Sequence, residues 1–114
     1  MLDLTSRIRG TVSVLKLSGR FDAYSAPAVV EWLEDVLETS APNLVVDLGG
    51  VHFMDSTALV TLTRGMKHCR QRDGDLRLCS LQPSVRVIFE LTRLDRAFEI
   101  YDDEDRAVES FDNV

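Results

Sequence analysis

The sequence predicts an α/β fold: one domain in which a mixed, mostly parallel β-sheet is flanked by α-helices. Three observations carry this. Short apolar segments of strand character alternate with segments whose apolar residues recur at helical spacing, in the order β-β-α-β-α-β-α-β-α. The run Leu44-Val45-Val46-Asp47-Leu48 is apolar on both parities apart from Asp47, which marks a central strand, parallel to a neighbour and buried between helices. The chain is 114 residues long, with no internal repeat and no linker long enough to divide it, so residues 1–114 form one domain.

At the N-terminus, Leu2, Leu4 and Ile8 alternate with Asp3, Thr5, Arg7 and Arg9, the period of a strand with one wet face. This is an edge strand, free either to meet solvent or to pair with another copy of the chain as a homodimer. After Gly10-Thr11, Val12 to Leu17 is a more buried strand that pairs with the first as a hairpin, and Gly19 ends it. Ala26, Val29, Val30, Leu33, Val36 and Leu37 then define the core-facing stripe of a helix. Pro27 is tolerated in its first turn, and Glu31, Glu34, Asp35 and Glu38 fall on the water side.

Pro42-Asn43 separates this helix from the central strand, and Gly49-Gly50 closes that strand. The next helix runs from about Ser56 to Arg72, with Leu59, Leu62, Met66 and Cys69 inward and late basic residues complementing its C-terminus. Asp73-Gly74 makes a turn, and Leu76 to Leu78 forms a short strand. Pro83-Ser84 opens a helix through Val85, Ile88, Phe89 and Leu91. A weak strand near Phe98 to Tyr101 and a short helix from Glu104 to Phe111 complete the order.

Composition excludes several classes of function. Nineteen acidic residues against thirteen basic ones leave a net charge of -6, which opposes non-specific attraction to nucleic acid or anionic lipid and favours a protein partner or small ligand. No apolar run approaches the roughly 20 residues of a membrane-spanning helix, and the N-terminus lacks a signal-peptide layout; the expectation is a cytoplasmic protein without membrane insertion. Cys69 and Cys79 form no Cys-x-x-Cys pattern and read as structural thiols, Cys69 on a buried stripe and slow to label. Together with His52 and His68 they show none of the paired spacings of a zinc site, so neither a metal nor a cofactor is expected.

The chemistry concentrates where the central strand hands over to a helix at Asp55-Ser56-Thr57. All three are good helix N-caps, and capping alone accounts for one of them. At least one hydroxyl is therefore left over at a helix N-terminus, where the backbone favours negative charge. A phosphoryl group on Ser56 would add about -1.5 to -2 charges there without opposing the fold. His52, Asp55 and Ser56 do not make a hydrolase triad, because three neighbours at one turn cannot form that relay and the Gly-x-Ser-x-Gly elbow is missing. Gly49-Gly50 is no phosphate-binding loop, since no Gly-Lys-Ser/Thr ending follows. No catalytic residue is assigned.

The stretch from Val45 to Leu59, with its Met54-Asp55-Ser56-Thr57-Ala58-Leu59 element, resembles the STAS domain of bacterial anti-sigma factor antagonists. Gly19-Arg20-Phe21-Asp22 is similar to the same family, as is Leu78 to Arg86 with the following Phe89-Glu90-Leu91, so the resemblance spans nearly the whole chain. It implies a partner-switching module: the unphosphorylated form binds an anti-sigma factor that is also a serine kinase, and phosphorylation releases it. By that resemblance the phosphoacceptor is Ser56 with Thr57 in reserve, and Asp22, Asp55, Ser56, Thr57 and Ala58 make the partner-binding surface. A phosphatase of the magnesium- or manganese-dependent PP2C type restores the active form in such circuits, the metal being the phosphatase's own.

The family often carries glycine where this chain has Ala58. Alanine firms the first helical turn by about 1 kcal/mol, and its methyl is expected at the face a kinase approaches. The alternative reading from the same resemblance is an unmodified scaffold or assembly subunit of a stress-sensing or lipid-transport complex, using this surface with the hydrophobic Val60.

Overall fold

The computed structural model describes residues 1–38 and 41–112. Strands β1 (Leu2–Arg9) and β2 (Val12–Phe21) form the expected hairpin about Gly10-Thr11, followed by α1 (Ala26–Val36), β3 (Asn43–Met54), α2 (Ser56–Gln71), β4 (Asp75–Cys79) and α3 (Pro83–Leu91). A 3-10 turn (Leu94–Arg96), β5 (Ile100–Tyr101), α4 (Glu104–Glu109) and a second 3-10 turn (Ser110–Asp112) close the described chain. The sheet order is β1-β2-β3-β4-β5; β1 and β2 are antiparallel and the other neighbours parallel. The α/β architecture with a mixed, mostly parallel sheet is as the sequence predicts.

The sheet divides the interior into two cores. One face packs Leu15, Leu17, Leu44, Val46, Leu48, Leu76 and Leu78 under α1, α2 and α3. The other packs Val12, Val14, Val45 and Cys79 under Ala107 and Val108 of α4. Adjacent residues of a strand point to opposite faces, so Val45 and Val46 belong to different cores and both are fully buried. That is the physical origin of the unbroken apolar run. Arg9 bonds Glu104 at 3.0 Å and Asp105 at 2.8 Å, and Arg7 also pairs with Glu104, which ties α4 to β1. Burial would raise the Glu104 carboxyl, but the hydrogen bonds from Arg7 and Arg9 outweigh it and hold the group below its usual value.

Several expectations are corrected. Gly49-Gly50 does not close the central strand. β3 continues to Met54, with its register against β2 slipping between Lys16 and Ser18 and again between Gly19 and Arg20. A Cβ on Gly50 would lie 2.7 Å from Ser18 Oγ, so the glycine lets two bulged strands approach rather than ending one. For the same reason β2 runs past Gly19 to Phe21. Ile8 and Val30, expected inward, are 77% and 40% exposed. Trp32, absent from the expected stripe, packs partly against the larger core. The Asp73-Gly74 turn is in place; there a Cβ would meet Pro42 O at 1.9 Å, because the loop before β3 crosses directly over Gly74.

Cys69 and Cys79 are buried and unpaired, and burial, with smaller contributions from nearby carboxylates, pushes both thiols up to about 12. Native protein at neutral pH is expected to react with a thiol reagent only on unfolding, with the rate rising as denaturant populates the open state. A fast burst from either cysteine would contradict this burial. Gly74→Ala is expected to destabilise by about 1–3 kcal/mol through overpacking against Pro42, read as a lowered urea midpoint.

Candidate functional site

The bulged end of β3 delivers Met54 into the core and Asp55 to the first position outside α2. Asp55 holds extended backbone (φ -100°, ψ -176°), and its Oδ1 accepts a hydrogen bond from Ala58 N at 2.9 Å, capping the helix. Its other oxygen, Oδ2, accepts from Ala23 N at 3.0 Å, so the same carboxylate pins the loop that follows β2. Both oxygens are in use. Asp55 N also donates to Phe21 O at 3.3 Å, which closes the corner between the two parallel strands.

Asp22 organises that loop from within. Its Oδ1 accepts from Tyr24 N at 3.0 Å and Ser25 N at 3.2 Å, while Oδ2 accepts from Arg20 Nε at 3.1 Å. Desolvation works to raise this carboxyl, but the hydrogen bonds from Ser25, Tyr24 and Arg20 prevail and keep it below its usual value. Ser25 Oγ accepts from Asp22 N at 2.9 Å and donates to Arg20 O at 3.0 Å. The Arg20 guanidinium also lies 3.6 Å over the Phe53 ring. Loop 22–25 is thus a rigid platform beside the start of α2.

With Asp55 as the cap, the hydroxyls of Ser56 and Thr57 are exposed, and among the described residues neither makes a side-chain hydrogen bond. The surplus hydroxyl argued from sequence is real in the fold. Ala58 is corrected: its side chain is fully buried in the larger core, so the methyl neither faces an approaching kinase nor offers contact area. Its contribution to the corner is the N–H that Asp55 receives. Among the described residues no hydrogen bond joins His52, Asp55 and Ser56, and His52 lies exposed on β3.

Sequence reasoning missed three features. Tyr24 projects from the loop at 95% exposure. Arg20 stacks on Phe53, although both fall in segments already singled out for other reasons. A groove of about 680 Å³ runs between α1 and α2, floored by Leu33 and Gly65, flanked by Val30 and Val60, and opening at Ser56 and Thr57. An amphipathic-helix reading assigns Val30 to the core; only the distance between two packed helices shows that it lines a groove instead.

Asp55→Ala removes the cap and the loop tether together. An unfolding cost of about 0.5–2 kcal/mol is expected from the cap alone, with faster amide exchange at both Ala58 and Ala23. Faster exchange at Ala58 without change at Ala23 would show that the loop stands without Asp55.

The chain is similar in sequence and fold to known proteins. The chain is 38% identical over 84 residues to the anti-sigma-B factor antagonist of Listeria monocytogenes, covering 74% of each. It is 25% identical over 104 residues to the anti-sigma F factor antagonist of Paenibacillus polymyxa, covering 90% of this chain and 89% of that one. Among solved structures, an anti-sigma factor antagonist from Mycobacterium paratuberculosis superposes with a TM-score of 0.87 at 29% identity, covering 96% of this chain and 93% of the other. The STAS domain model matches residues 3–107, the span that holds the sheet, all four helices up to Ala107 and the Asp55-Ser56-Thr57 corner: the chain belongs to the STAS domain family.

Proposed function

We propose that this protein is an anti-sigma factor antagonist that works by partner switching at the start of α2. In its unphosphorylated form it binds an anti-sigma factor that is also a serine kinase, and phosphorylation of Ser56 releases it. The observation that carries this reading is the division of labour at the corner. Asp55 satisfies the helix terminus, Asp22 satisfies the loop, and the Ser56 hydroxyl is left exposed, without a side-chain hydrogen bond among the described residues, on the first turn of a 16-residue helix. A residue the fold needs for capping could not be modified without loosening the helix. Ser56 is not needed for capping.

The electrostatics suit a switch of binding rather than of folding. The partly positive end of α2 tolerates a phosphoryl group, while beside the Asp55 and Asp22 carboxylates the added dianion crowds negative charge into any interface that covers this corner. Close like charges at an interface cost several kcal/mol, enough to separate bound from free. This chain supplies the acceptor hydroxyl; the kinase supplies the nucleotide and base. A PP2C-type phosphatase returns the hydroxyl, and Thr57 is the reserve acceptor. The exposed Tyr24 and the apolar groove give the partner area to bury, with an aromatic of the kind that dominates interface energies. The alternative of an unmodified scaffold keeps Val60 as a contact but loses Ala58, which faces the core.

Ser56→Ala is expected to keep the fold and the affinity for the anti-sigma factor, whereas Ser56→Glu weakens binding by at least about tenfold, or 1.4 kcal/mol, in calorimetric titration. Kinase, nucleotide and wild-type protein together are expected to place one phosphate on Ser56 by peptide mass spectrometry. Equal affinity of both variants, with no phosphate on Ser56 or Thr57, would leave the scaffold reading standing.

A further inference from the structure

We infer that the free edge of β1 is a self-complementary strand through which two copies of this chain pair antiparallel, extending the two sheets into one. β1 is a terminal strand of the sheet, eight residues long and in unbroken register with β2 from Leu2 to Arg9. It contains no proline, bulge or lysine, and its charged residues Asp3, Arg7 and Arg9 carry both signs, so they can pair across a two-fold axis instead of only repelling a second copy. Its one fully outlying apolar side chain, Ile8, is 77% exposed beside a shallow hollow formed with Ser6, Trp32 and Val36.

The hydrogen-bonding parity of the edge follows from one contact. Met1 O accepts from Arg20 N at 3.2 Å, and Leu2 stands opposite Gly19 in register, so Met1 and Arg20 form a hydrogen-bonded pair. Such pairs alternate along an antiparallel ladder. The backbone groups of Asp3, Thr5, Arg7 and Arg9 therefore face β2, and those of Leu2, Leu4, Ser6 and Ile8 face the open side.

A second copy can satisfy those open groups about a two-fold axis at Thr5. Leu2 then bonds across to Ile8 and Leu4 to Ser6, so every outward amide and carbonyl from Leu2 to Ile8 finds a partner. Asp3 falls opposite Arg7, once on each side of the axis, in the closer non-hydrogen-bonded pairs where side chains interact most. These charges are opposite. On the other face, Ile8 gains Leu2 of the second copy as an apolar neighbour. The side chain of Arg7, although paired with Glu104, remains 62% exposed and has donors to spare. Moving the axis to Leu4 sets Arg7 against Met1 and loses both charge pairs. Moving it to Ser6 sets Asp3 against Arg9, whose guanidinium already serves Glu104 and Asp105. Arg7, at 62% side-chain exposure against 33% for Arg9, is the freer partner for Asp3, so the edge favours the register about Thr5.

Light scattering and sedimentation equilibrium of the full chain over a concentration series are expected to approach twice 12.8 kDa. Ser6→Pro removes an outward N–H and leaves the β1–β2 ladder intact, so it is expected to give a folded monomer, as is Ile8→Lys. Thr5→Cys places two thiols face to face at the axis, where the roughly 4.5 Å Cα separation of a non-hydrogen-bonded pair permits a disulfide. Because Cys69 and Cys79 are buried, mild oxidation is expected to yield a single cross-linked dimer through the new thiol, and Ser6→Pro in the same chain is expected to abolish it. A monomer mass at every concentration up to about 1 mM overturns the pairing. So does a dimer that persists in Ile8→Lys, or a dimer whose Thr5→Cys form does not cross-link. If Ser6→Pro fails to fold by circular dichroism, the Ile8→Lys and Thr5→Cys results decide.

Discussion

The burial of β3 on both faces is the constraint from which the rest of the molecule follows. Val45 and Val46 point in opposite directions and neither meets water, so the sheet needs cover above and below. Helices α1, α2 and α3 supply one cover and the short α4 the other. Parallel neighbours on both sides of β3 then require crossover connections, and those crossovers are the helices. One of them, α2, leaves directly from the end of β3. Its N-terminus is therefore anchored by the most deeply held strand in the protein, and a surface presented there is rigid.

That rigidity frees the hydroxyls. The usual economy of a helix start is for the first serine or threonine to cap it. Here Asp55 caps α2 and with its second oxygen grips Ala23, while Asp22 folds the intervening loop around its own backbone amides. Two carboxylates do the structural service of the corner. Ser56, Thr57 and Tyr24 are left facing outward on a surface that does not depend on them. A group added to either hydroxyl would change the charge of the corner without disturbing the hydrogen bonds that give it its shape.

The order of elements, the antiparallel hairpin followed by parallel strands, and the core positions of β2, β3 and α2 were all legible from periodicity, because burial imposes period two on strands and a near-four spacing on helices. The Asp55-Ser56-Thr57 corner was legible from cap preferences. Periodicity erred where a residue was punctuated by type rather than by environment. Gly19 and Gly50 looked like breaks and proved to be points of close approach between strands, since Ser18 leaves no room for a Cβ on Gly50. Val30 and Ile8 had the right spacing for the core and lie outside it, since the core ends where the neighbouring element ends.

What the sequence determined by itself was therefore local and periodic: which segments are strands and helices, which faces are apolar, and which residues can cap a helix. Only the tertiary structure decided which of three candidate caps does the capping, which way Ala58 points, and that loop 22–25 is held against α2 by Asp55 across 32 positions of chain. It alone opened a groove between α1 and α2 and left β1 as an edge with its even-numbered amides outward. The physical reason is the same in each case. Periodic patterns report the average environment of a face, whereas hydrogen-bond partners and close contacts depend on the distance between elements remote in sequence, which packing alone sets.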